Sequence, residues 1–379
     1  MVLLGLLSLI ALMRKEDTGL MLNGLEGLLM VYCGGAFLWA KSERIDSVIV
    51  IRWLIAIYTL LSGLYAVWYI NANLLDFLMI YKSFFYLFLL SFLVGKKLME
   101  GKHVLLFFNI FLCIFLVKYL LSIVLEVTDR PVVYEENNFE LMLLYALYLL
   151  RYSVTKEKHL QYLALIGIIT LLSLSRSSLV MFSVLVVFVV YSSYKKTWVF
   201  IVPFATIVLS SVIFYVFSKR SGSIEEIDRY RFMLVFLDEV KDWNFLQWIV
   251  GGERITRLSY AGCDAMKDYR NLFSFSGDGT CYSVILHSFL LRVILDHGLL
   301  GLIFIVYSTY LFLVKSGVST SHTLVFLGIV ILNGLSVSSF NNLFFAISMV
   351  FLMTTNRFRS DLGVRKVIRL PWALPMNNS

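Results

Sequence analysis

The sequence predicts an all-α polytopic membrane protein. It has about twelve transmembrane helices, both termini on one side, and one large loop on the other side between the ninth and tenth spans. Three observations carry this. Of 379 residues, 59% are hydrophobic and 15% charged, with a mean hydropathy of +0.82, whereas a soluble domain is typically about 45–50% apolar and about 25% charged. Apolar runs approaching the ~20 residues of a spanning helix recur from end to end. Lysine and arginine also alternate in density between successive connections, as insertion into a bilayer demands. Only four prolines and no Ser/Gly-rich linker interrupt the chain. Residues 1–379 therefore read as a single integral membrane domain, with the loop 218–284 inserted within it.

In order, the spans fall near 2–13, 19–40, 48–70, 74–94, 104–125, 139–150, 160–174, 177–194, 197–217, 285–314, 323–337 and 339–355. The first has no basic start and no small-residue cleavage site, so it reads as a short or tilted helix and not as a signal peptide. The sixth is short and extends into 151–154. A tight turn at 337–339 separates the last two. With both termini in the cytoplasm, the inner connections and the tail hold sixteen Lys/Arg. The short outer connections hold four, namely Arg14, Lys15, Arg130 and Arg176. This asymmetry places the loop 218–283, the hairpin 173–178 and the acidic loop 126–138 outside. The net charge of +8 reflects the same bias, and the basic tail suits contact with anionic membrane lipids. The large loop carries nine Lys/Arg against ten Asp/Glu, so it is no nucleic-acid surface.

Charges inside spans are costly, about 2.5–3.5 kcal/mol each at the midplane on insertion scales, so their positions inform. Arg52 sits near the inner end of its span and is expected to snorkel. Glu26, Lys82, Lys118, Arg292 and Asp296 all fall in outer halves. Either they pair internally, Glu26 with Lys82 or Lys118, or they line a cavity open to the outside and suited to an anionic ligand. The stretch 286–301 concentrates such groups: His287, Arg292, Asp296 and His297 crowd the first turns of the tenth span. That density predicts a wet, polar-lined site at the helix mouth.

Within the outer loop, 224–249 shows apolar residues at helical spacing, including Phe232, Val235, Phe236 and Val240. One amphipathic helix on the outer surface is expected there, started by a Ser223/Glu226 capping box and ended by Gly251-Gly252. Cys33 and Cys113 lie within spans as small hydrophobes. Cys263 and Cys281 share the outer loop, where an oxidising compartment allows a disulfide. His103, His159 and His322 fall in inner connections. No Asp-x-Asp pair, HExxH, zinc-spaced Cys/His cluster, Walker A, GxGxxG or GxSxG occurs. The pattern thus points away from metal-dependent sugar transfer, metalloproteolysis, ATP hydrolysis and serine hydrolysis, and it calls for no cofactor.

Three segments together resemble the O-antigen polymerase and O-antigen ligase superfamily of bacterial surface-polysaccharide enzymes. SLSRSSL (173–179) is similar to its Ser-Arg hairpin. DRYRFMLVFLDEV (228–240) looks like the arginine-bearing helix that opens the large loop. His287-Ser288, followed after nine residues by Gly298 and then by Gly301, is similar to its histidine motif. The resemblance implies a GT-C-like membrane glycosyltransferase of the bacterial inner membrane with its site facing the periplasm. The donor would be an undecaprenyl-diphosphate-linked oligosaccharide, used without metal or other cofactor. Carried over residue by residue, Arg176 and Arg231 (or Arg229) would hold the diphosphate, and His287 would sit by the acceptor hydroxyl. Read from their own positions and not from the resemblance, Arg292, Asp296, His297, Lys82 and Lys118 either line the substrate site or pair internally. Gly298 and Gly301 read as close-packing positions.

The chemistry agrees with those residue types. A diphosphate leaving group needs charge stabilisation as the glycosidic bond breaks. Arginine supplies a fixed, bidentate charge for it, and a histidine can take the acceptor proton. Polymerisation of repeat units is the expected activity, with a polysaccharide chain-length regulator as a conceivable partner. The alternatives are ligation of the glycan to lipid A–core and, outside enzymes, transport of lipid-linked oligosaccharide.

Overall fold

The computed structural model describes residues 19–39, 45–125, 131–134, 136–193 and 228–356. The first and ninth expected spans, the Ser223/Glu226 cap and the basic tail lie outside these residues. Helices dominate: α1 (Gly19–Trp39), α2 (Asp46–Leu64, closing in a π-helical turn at Tyr65–Tyr69), α3 (Leu74–Ile80) and α4 (Lys82–Ser91) come first. Then follow α5 (Gly101–Val124), α6 (Asn137–Thr155), α7 (Leu160–Leu172) and α8 (Arg176–Ser193). The loop contributes α9 (Asp228–Glu239), α10 (Phe245–Val250) and α11 (Tyr260–Ala265), and the chain returns through α12 (Phe289–Lys315), α13 (Thr320–Gly334) and α14 (Leu343–Thr354). Among the described residues the only sheet is a two-residue parallel pairing of β1 (Met99–Glu100) with β2 (Thr355–Asn356).

Among the described residues, three helices are long and apolar enough to cross a membrane: Asp46–Tyr69, Gly101–Val124 and Phe289–Lys315. The pair α3–α4 adds a fourth across a 63° bend. Large apolar side chains face outward along these helices, such as Leu60 and Ile303, the arrangement a lipid solvent requires. The protein is an all-α membrane protein.

The axis of the bundle is α6. Its middle is apolar on every face, and such a helix is buried all round. Every residue from 141 to 150 is at most 1% exposed, and α5, α7, α8, α13 and α14 all pack on it. Hydrogen bonds sort the connections between helices to two ends. At one end Lys97 donates to the carbonyls of Ser316 and Met353, Lys158 to Ser192 O, and Lys96 to Ala36 O. Arg52 donates to Ser91 Oγ at 2.8 Å and Ser91 O at 2.9 Å, and lies over the Phe92 ring. These cations cap helix C-termini, where the backbone carbonyls carry partial negative charge. Arg52 is therefore anchored by a neighbouring helix end, a more specific role than snorkelling.

Two expected features differ in detail. The run 74–94 is not one helix but α3 and α4, broken at Tyr81, and the last two spans are joined by residues 335–342 rather than a three-residue turn. Both departures meet at one side chain. Asn341, in the short 3-10 turn Ser339–Asn341, accepts from Ser83 N at 3.0 Å and donates to Met79 O (3.1 Å) and Ile80 O (3.2 Å). Irregular backbone at membrane depth persists only when its polar groups are satisfied by protein, and Asn341 supplies that for the break. Asn341→Ala is expected to destabilise the bundle by about 2 kcal/mol, since each orphaned buried group costs roughly 1–3 kcal/mol. A melting midpoint in detergent equal to wild type would show that the break is held by other means.

Candidate functional site

At the opposite end from the lysine caps, the segments singled out in the sequence come together. The serine hairpin folds around Asn138, whose Oδ1 accepts from Ser175 Oγ, from Ser177 Oγ at 3.0 Å and from Ser178 Oγ at 3.4 Å. Asn137 Nδ2 donates to Ser173 O at 3.0 Å. This leaves Arg176 half-buried in the first turn of α8, where the helix N-terminus adds positive potential. The chain of contacts continues: Asn333 Nδ2 donates to Asn138 O at 3.4 Å, and next to it Gly334 O accepts from Ser288 Oγ at 3.1 Å. Ser338 Oγ donates to His287 O at 3.1 Å. The Arg176 hairpin and the His287 turn thus share one end of the bundle.

His287 precedes α12 rather than riding on it. A 3-10 turn, Ser283–Leu286, carries the chain into His287 at φ +50°, and the helix starts only at Phe289. The half-buried imidazole packs against Phe232 of α9 (ring centroids 5.9 Å) and Tyr269 (6.0 Å). Phe232 adjoins Arg231, so the histidine meets the arginine-bearing helix directly. Arg231 Nη1 donates to Asp268 Oδ2 at 2.7 Å. Arg229 is half-buried on the same helix.

The single helix expected over 224–249 is two, α9 and α10, separated by a turn. Asn244 caps α10 in a full capping box with Gln247 (3.0 and 2.9 Å). Phe232, Val235, Phe236 and Val240 do form one apolar face. It is buried in a separate loop core with Leu258, Met266, Cys281, Ile285, Leu286 and Leu295. Cys263 and Cys281 form a disulfide, Cα to Cα 5.8 Å, through that core. Trp243 packs edge-on to Trp248 at 5.6 Å, and Tyr260 is 90% exposed.

The wet mouth expected from Arg292, Asp296 and His297 is instead a packed polar seam, each residue being at most 4% exposed. Arg292 Nη1 donates to Ser338 Oγ at 3.0 Å, while its Nη2 faces the freed carbonyls Met79 O and Ile80 O. Asp296 accepts from Thr256 N at 2.9 Å and Ser283 Oγ at 2.5 Å. His297 Nδ1 shares a 2.8 Å hydrogen bond with Tyr58 Oη, which accepts from Arg254 at 2.9 Å. These three residues fasten the loop to the bundle and position the His287 turn from below. Lys82 is paired with Glu26, which also accepts from Tyr86 Oη at 2.6 Å, so internal pairing accounts for it. Lys118 lies within electrostatic reach of Glu140, whose buried carboxylate accepts from Val133 N (2.8 Å) and Tyr134 N (2.6 Å).

No protein-family model, curated protein or solved structure matches this chain.

The geometry also brings in residues that the sequence did not single out. Arg254 and Tyr58 connect loop to bundle beside His297. Asp76, 3% exposed at the start of α3, accepts from Ser274 Oγ at 2.6 Å and Phe275 N at 3.3 Å. Asp268 is the counter-ion of Arg231. The only available signal was a carboxylate inside an apolar run (Asp76); Tyr58, Arg254 and Asp268 look ordinary in sequence.

Proposed function

We propose that the protein polymerises undecaprenyl-diphosphate-linked oligosaccharide repeat units into O-antigen or a related surface polysaccharide, at the periplasmic face of the bacterial inner membrane and without metal. The observation that carries this reading is the packing of His287 on Phe232, beside Arg231, at the bundle end that also holds Arg176. A histidine for the acceptor hydroxyl and arginines for a diphosphate are the groups that metal-free glycosyl transfer needs. In this reading His287 takes the proton of the acceptor hydroxyl as that oxygen attacks the anomeric carbon, and the undecaprenyl diphosphate leaves against Arg176 and the α9 arginines. The seam of Arg292, Asp296 and His297 acts through position. A twelve-span topology with cytoplasmic termini is part of the same proposal.

The Arg231–Asp268 pair gives a test of the phosphate role. A donor diphosphate at Arg231 competes with the Asp268 carboxylate. Asp268→Asn is therefore expected to lower KM for the donor about two- to fivefold with kcat little changed, the signature of altered uniform binding. Unchanged KM would leave Arg231 as a structural ion pair.

One observation favours a second, non-enzymatic reading. Broken helices at membrane depth are frequent in transporters, and α3–α4 is broken. Here, however, the freed carbonyls are occupied by Asn341 and Arg292 and not offered to a ligand. The deciding experiment uses the purified protein with a lipid-diphosphate-linked repeat unit as sole glycan. A ladder of products supports polymerisation. Transfer only after lipid A–core is added makes the protein a ligase, and no transfer by folded protein in either case brings transport forward.

A further inference from the structure

The angle of the broken span encloses a groove that the glycosyl-transfer reading does not use. Ile55, Gly63 and Val67 of α2 face Phe77 of α3 and Phe85 and Phe88 of α4 across a cavity of about 530 Å³. That volume lies within the roughly 300–1,000 Å³ of small-molecule sites. Its lining is almost wholly apolar, and side chains from both sides of the break contribute, so the bend itself opens the space. Gly63 lets the two walls approach closely, since a Cβ there would lie 3.1 Å from the Phe77 ring and press on it.

The outer end of the groove has a different character. Trp68 and Tyr69 are 77% and 76% exposed, and Tyr65 stacks on Tyr69 at 5.1 Å. Such amphipathic rings mark the headgroup level of a bilayer. At this level Arg257, from the outer loop, donates through Nη2 to Ile70 O at 3.0 Å. Its side chain is exposed and makes no ion pair among the described residues. Beside it, burial pushes the Tyr282 phenol up and Arg257 pulls it back. The place thus joins an apolar slot at acyl depth to a fixed cation at phosphate depth.

We propose that the groove between α2 and the broken α3–α4 span holds an acyl chain of an anionic glycerophospholipid, with its phosphate against Arg257. A fully apolar ligand would leave the guanidinium without an ion-pair partner, the nearby carboxylates of Asp76 and Asp278 acting instead on the Tyr282 phenol. A soluble anion would leave the slot unused. A zwitterionic lipid fits the slot but brings a second cation to the same place. The proposal needs the membrane-protein fold and does not rest on glycosyl transfer.

The test is native mass spectrometry of the full chain in detergent with equal amounts of a phosphatidylglycerol and a phosphatidylcholine of the same chains. One cation at the surface favours an anionic lipid by about 1 kcal/mol, or roughly fivefold. Wild type is expected to retain phosphatidylglycerol at about that ratio. Arg257→Gln should bring the ratio to about one, and Ala56→Phe, which fills the slot, should lower retention of both lipids. Equal retention of the two lipids by wild type overturns the proposal, with no variant needed. So does a preference that survives Arg257→Gln, or displacement of the phosphatidylglycerol by an equimolar polyprenyl phosphate, which would assign the groove to a prenyl lipid.

Discussion

Gly298→Ala is expected to destabilise the protein by about 3 kcal/mol or more and to release the loop that precedes α12. Gly298 interrupts α12 at φ +65°, ψ −172°, a region that is essentially glycine-only, where strain alone costs of order 1–3 kcal/mol. The space is also taken. A Cβ at 298 would lie 2.2 Å from Ile249 O, 2.4 Å from Ile249 C and 2.5 Å from Gly251 N. All three are backbone atoms at the end of α10, so no side chain can turn aside. The approach is reciprocal: at Gly251, whose φ is +86°, an added Cβ would lie 2.7 Å from Asp296 C and from His297 N. The loop backbone is therefore set into the kink, with Gly252 N and Thr256 Oγ1 both donating to Leu295 O, at 2.8 and 3.0 Å. Gly24→Ala is the control: it lies in α1 with nothing within 4 Å of its Cβ position, and alanine gains about 1 kcal/mol of helix propensity. Melting midpoints in detergent and protease access to the loop read both variants. A Gly298→Ala protein that melts like wild type with a protected loop would refute the interlock.

The same interlock explains what sequence reading could and could not find. Apolar run length is a local property, so the sixth span is legible: expected at 139–150 with an extension into 151–154, it runs from Asn137 to Thr155. The break at Tyr81 was not legible. No proline or glycine lies between 74 and 91, and the break is satisfied by Asn341, some 260 residues away. A tertiary partner of that kind leaves no mark at the break itself. The division of 224–249 was legible and missed: Asn244 and Gln247 have the same spacing as Ser223 and Glu226. Clustered charge drew attention to 286–301, where the structure packs Arg292, Asp296 and His297 into a buried polar seam. It did not distinguish groups that line a cavity from groups that satisfy one another. Lys82 and Glu26 illustrate the point, because both outcomes require the same residues in the same halves of their spans.

In the proposed reaction His287→Ala is expected to lower the initial rate of polymer formation about 10²- to 10⁴-fold, the usual contribution of a general base. Retention of fold is expected, because the ring is half-buried and its neighbours Phe232 and Tyr269 are held by the loop core. The backbone complicates a simple alanine result. His287 sits at φ +50°, where a non-glycine residue is costly and asparagine is tolerated far better than alanine. His287→Asn therefore separates the two roles. Asparagine keeps the left-handed turn and the hydrogen bond from Ser338 to the carbonyl of residue 287, but it cannot accept a proton at neutral pH. If the residue serves chemistry, both variants lose activity alike while their melting midpoints differ. If it serves the turn, asparagine restores the rate. Phe232→Ala adds the geometric half of the argument: it removes the surface that orients the imidazole toward α9. It should lower kcat more than it raises KM, since a misplaced base costs transition-state stabilisation and leaves donor binding to the arginines.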